Sequence, residues 1–141
     1  MKKIILIIFI VLIFTPLVSA QTWFTADSLS VDWTAPTTLI DGSPIPVGDI
    51  IKYNLYIKDA INPQAIEELI VSNLMVQTYL VKFTKEGRFF IGVCAVRYIG
   101  GITYIGESII AWSSDPVYTL NNPFGGVYYI SPSPPTGLRK Q

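Results

Sequence analysis

The 141-residue chain contains no histidine, which removes the commonest general base and the commonest metal ligand. Ser-His and Cys-His catalytic pairs are excluded with it, as are zinc sites built on histidine. Cysteine is almost as scarce. Cys94 stands alone, so no internal disulfide forms and no thiolate cage for a structural zinc exists. Clustered basic charge is missing as well, with no Lys/Arg cluster between Lys2-Lys3 and Arg139-Lys140. That argues against nucleic-acid binding by phosphate neutralisation. Adjacent carboxylates occur only at Glu67-Glu68, and neighbours on a strand point to opposite faces, so they do not flank one glycosidic bond. Gly100-Gly101 lacks the following helix and lysine that a phosphate-cradling loop needs. The residues predict no enzyme, no cofactor, no metal site and no nucleic-acid partner. A calcium ion shared by Asp41 and Asp49 is the weaker alternative to an Asp41-Gly42 turn.

What is present begins at the N-terminus. Lys2-Lys3, the apolar run Ile4 to Phe14, and Val18-Ser19-Ala20 follow the basic, apolar, small-residue order of a secretory signal, with cleavage expected after Ala20. The competing reading is a retained anchor, since Ile4 to Ala20 is just long enough to span a bilayer. On that reading alone would the chain touch a membrane, because no later apolar run is long enough to cross one. Cleavage removes 20 of the 141 residues and two of the ten basic side chains, leaving eight against ten acidic, a net charge of −2. The remaining 121 residues make one ordinary domain, large enough for a core without disulfides. The expected setting is an exported one: periplasm, cell surface or medium.

Short runs of β-branched and aromatic residues separated by turns dominate from Trp23 to Tyr118. Ser28 to Trp33 and Ile51 to Lys58 alternate in the manner of half-buried strands. Thr34 to Gly48 is a Pro/Gly-rich loop. Ala65 to Val71, Val76 to Phe83 and Arg88 to Tyr98 are the next strand-like runs. Gly100-Gly101 suits a tight hairpin turn leading into Ile102 to Trp112. Such spacing without helical segments predicts a β-sandwich or barrel.

These residues resemble the fibronectin type III family. Trp33-Thr34-Ala35-Pro36 is similar to that family's Trp-x-x-Pro, and Ile51-Lys52-Tyr53-Asn54-Leu55-Tyr56 to its Tyr-x-Val strand. Phe83 stands at its Leu position, six residues before an alternating strand of Phe89, Ile91, Val93 and Ala95. Phe89 replaces the tyrosine whose hydroxyl makes the family's corner bond, and the first strand ahead of Trp33 is abbreviated. The resemblance implies an all-β, immunoglobulin-like seven-strand sandwich over residues 21–118, between a signal peptide (1–20) and a Pro/Gly-rich tail (119–141). Trp33, Tyr53, Leu55, Ile91 and Val93 are the expected core.

If Phe89, Ile91, Val93 and Ala95 face that core, Phe90, Gly92, Cys94 and Val96 face outward, and so does Tyr56 on the neighbouring strand. An outer face of aromatic and apolar groups suggests a contact surface; the alternative is that the tail or a loop covers it. Cys94 is then expected to be an exposed free thiol. In the tail, Val127-Tyr128-Tyr129-Ile130 is strand-prone and expected to join a sheet edge, in its own domain or a neighbour's. Pro134 to Leu138 is similar to the opening segment of a further fibronectin type III domain. The expected function is an exported, non-catalytic interaction or adhesion module. It would bind a protein or glycan partner through loops, outer sheet face or strand edge, with Tyr56, Phe90, Cys94 and residues 127–130 as interface. The alternative is a structural subunit of a surface or virion assembly, a homo-oligomer held by strand exchange.

Overall fold

The structure is a computed structural model describing residues 20–62, 64–133 and 136. The signal segment and most of Pro134 to Leu138 lie outside the described residues. The described chain is all-β, without a helix. Nine strands form: β1 (Thr22–Thr25), β2 (Ser28–Asp32), β3 (Asp49–Asp59), β4 (Glu68–Leu74), β5 (Thr78–Lys82), β6 (Gly87–Ile99), β7 (Thr103–Glu107), β8 (Ala111–Trp112) and β9 (Phe124–Tyr128). Seven make one sheet in the order β1-β9-β6-β3-β4, with β7 and β8 also on β6. β2 and β5 pair as a second, two-stranded sheet.

The long strands β3 and β6 are the frame. They run antiparallel in unbroken register from Asp49 opposite Ile99 to Asp59 opposite Phe89. Their alternation puts Leu55, Phe89 and Ile91 on one face, where Val31 of β2 and Val81 of β5 meet them in the buried core. That contact makes the two sheets a sandwich. Of the five expected core residues, Tyr53, Leu55 and Ile91 are buried, while Trp33 and Val93 are half-buried and pack against the cluster. Trp33 meets Tyr53 edge-on at 5.3 Å, yet its Nε1 is buried with no hydrogen-bond partner among the described residues. An unpaired buried donor of this kind costs about 1–3 kcal/mol. Phe83 and Phe89 stack 5.5 Å apart and 15° from parallel.

One edge of β6 belongs to β3. The other is served in turn by β7, β8 and β9, all antiparallel to it. The expected strand from Ile102 to Trp112 is therefore broken after Glu107 and resumed at Ala111. Two serines bridge the irregularities. Ser108 donates its N–H to the Ala95 carbonyl, and its hydroxyl accepts the Ala95 amide. Ser113, buried, repeats the pattern with Ile91. Each side chain supplies the acceptor that the displaced main chain no longer offers, so the buried β6 amides stay satisfied. Gly100 and Gly101 form the turn into β7, both at positive φ (60° and 75°).

The segment set apart as a tail contributes β9, which starts at Phe124, three residues before the expected strand, and ends at Tyr128. It pairs with Gly87 to Phe89 of β6 on one side and with β1, in parallel, on the other. The abbreviated first strand thus reaches the large sheet through the C-terminal one. β4 starts at Glu68, so Ala65 to Glu67 of the expected strand run lie outside it.

Candidate interaction surface

The outer face of the large sheet is set by the residues between the core positions. On β6 these are Arg88, Phe90, Gly92, Cys94, Val96 and Tyr98; opposite them on β3 stand Lys58, Tyr56, Asn54 and Lys52. Two tryptophans from neighbouring strands join them. Trp112 of β8 is paired with Gly92, and Trp23 of β1 with Gly125 of β9. Both glycines are required by close approach. A Cβ on Gly92 would come within 2.7 Å of the Trp112 ring, and one on Gly125 within 2.5 Å of the Trp23 ring. Trp23 also meets Phe90, with ring centroids 5.5 Å apart.

Cations stand over these rings. Lys58 Nζ is 4.0 Å from the centre of Trp112, and the Arg88 guanidinium is 5.5 Å from that of Trp23. Lys52 Nζ lies 4.4 Å from Tyr98 and also donates to the Gly101 carbonyl at 3.2 Å. Ion pairs form elsewhere, Lys85 with Glu68 and Arg97 with Asp49. Lys58 and Arg88 take part in neither, and among the described residues each is held by a ring quadrupole and not by a carboxylate.

Cys94 shares this face but is buried, so the expected exposed thiol is corrected. Tyr56 and Glu107 close over it, with Glu107 Oε2 3.9 Å from Sγ. Burial, reinforced by the Glu107 charge, pushes the thiol above its ordinary pKa. Burial likewise raises Tyr56, helped by Cys94. Phe90 is half-buried against Trp23. Val127 is buried within β9, and Tyr128 packs against the core from the inner face. Tyr129 and Ile130 lie past the strand and are exposed, with the Ile130 amide donating to Glu86. The structure thus brings Tyr56, Phe90 and Cys94 onto one face and leaves residues 127–130 divided among core, sheet and solvent. Sequence reasoning missed Trp23, Trp112, Lys58 and Arg88. Their signal was faint: tryptophans on separate short strands whose registers only the fold sets.

Asp41 and Asp49 are not brought together as calcium ligands. Asp41 accepts from the amide and hydroxyl of Ser43 in its turn, while Asp49 binds Arg97 at 2.6 Å. No group of three or more metal-ligating side chains occurs among the described residues. A second feature is a groove of about 740 Å³ between the Thr34–Ile45 loop and the inner face of the large sheet, lined by Trp33, Ile51, Tyr53, Val93 and Ile105. No family model, curated protein or solved structure matches the chain.

Proposed function

We propose that the chain is an exported, non-catalytic interaction module of the fibronectin type III kind, binding a protein or glycan partner through the outer face of its large sheet. The strand arrangement, with β2 paired to β5 in one sheet and β3 between β4 and β6 in the other, fits a sandwich of immunoglobulin-like layout. The fibronectin type III reading rests on the sequence motifs. The absence of histidine supports binding over catalysis. The observation that carries the functional reading is the pair of cations, Lys58 and Arg88, held over tryptophans with no carboxylate partner among the described residues.

Two measurements on protein from the native host test the proposal. Intact mass is expected to begin at Gln21, whereas a mass including Met1 to Ala20 would replace export by anchoring. Cell-envelope fractionation is expected to retain the parent and release a Lys58→Glu/Arg88→Glu variant into the medium. Equal retention of parent and variant removes the outer face from the function.

A further inference from the structure

We infer that the outer face is a site for an acidic glycan, one whose sugars carry carboxylates; this rests on the interaction-module reading above. Each tryptophan lies directly over a glycine, Trp112 over Gly92 and Trp23 over Gly125, so one side of each ring rests on the sheet. A side chain at either glycine would lift the ring away. Lys58 stands over the Trp112 ring, while Arg88 and the Phe90 ring both stand against Trp23. A pyranose presents a face of polarised C–H groups that suits the negative face of an indole. When such a sugar stacks, the displaced ammonium or guanidinium remains beside it, free to take its carboxylate in a charge-assisted hydrogen bond. Aromatic platform and cation thus serve one residue of the ligand together. A neutral sugar would displace the cation without repaying the lost contact.

Charge on this face agrees. Lys52, Lys58 and Arg88 outnumber Glu107, the exposed carboxylate that its strands carry there, which lies 3.9 Å from the Cys94 thiol. Glu67, exposed just ahead of β4, forms no ion pair with Lys58. Pairing with β6 places Trp112 on β8, and pairing with β9 places Trp23 on β1. Two cations separated by rings suit intermittent carboxylates. A nucleic acid, with a phosphate at every residue, would call for a denser basic track.

Calorimetry and tryptophan fluorescence on the mature protein test the assignment, with tetragalacturonate as probe. Its methyl ester, phosphatidylglycerol vesicles and a single-stranded oligonucleotide serve as competitors. Tetragalacturonate is expected to bind and shift indole emission, and esterification to weaken binding about tenfold or more. Lys58→Gln/Arg88→Gln should lose a similar factor, and Lys82→Gln on the other sheet should lose none. Absence of binding at millimolar tetragalacturonate, equal affinity for the ester, or tighter binding to vesicles or oligonucleotide overturns the assignment. Should tetragalacturonate fail while the charge-reversed variant still leaves the envelope, the module reading stands and the glycan falls.

Discussion

A methyl group on Gly126 would stand far inside van der Waals contact with Phe83, whose ring is buried and stacked on Phe89. The ring has nowhere to go without unstacking. Gly126→Val is therefore expected to lower stability by about 1–3 kcal/mol, the usual cost of overpacking, seen as a lower urea midpoint at unchanged slope. A midpoint equal to the parent's would mean β9 does not sit against Phe83. Cys94 gives the pH-dependent case. Burial holds its pKa, and that of Tyr56, above ordinary values, so the folded state keeps protons that the unfolded chain releases from about pH 8.5 for the thiol and about pH 10 for the phenol. The folded form binds more protons in that range, and stability must fall as pH rises through it. Below about pH 8.5 the contribution is complete. Urea midpoints between pH 7 and pH 10.5 are expected to decline, and Cys94→Ala to flatten the decline. Thiol reagents should label Cys94 only on unfolding.

At the scale of elements, β9 does more than its position near the C-terminus suggests. It covers the edge of β6 at Gly87 to Phe89, holds β1, buries Val127 and packs Phe124 and Tyr128 on the core. Burial of large apolar side chains is worth about 1.5–3 kcal/mol each. A chain ending at Leu120 is expected to lose roughly 3 kcal/mol or more, and β1 should lose its protection from hydrogen exchange along with β9. Full-length and truncated chains melting together would show that β9 is only loosely attached. The strand character of this segment was legible in Val127-Tyr128-Tyr129-Ile130, but its bounds were not. Gly125-Gly126 discourages a strand in any local reading, and only the rings of Trp23 and Phe83 above them explain their presence. The break between β7 and β8 was equally hidden. Ser108 and Ser113 look like ordinary polar residues until Ala95 and Ile91 place amides opposite them.

For the whole molecule, alternation in Ile51 to Lys58 and Arg88 to Tyr98 was enough to determine strands and which side chains share a face, but not their burial. Cys94 and Val96, expected outward, are enclosed, while Val93 and Ala95 are half-buried. Strands and shared faces follow from a period of two acting on neighbouring side chains. The Gly100-Gly101 turn was determined in the same local way, since it needs positive φ at two consecutive residues. The lack of histidine and of a second cysteine was likewise plain from the sequence. Tertiary structure alone decided that the first strand would pair in parallel with the last, that Cys94 would be enclosed, and that two tryptophans would each lie beneath a cation. Each of these joins residues far apart along the chain, and their meeting depends on sheet order and register. No local pattern encodes those, because they are settled by which edges remain free once β3 and β6 have paired.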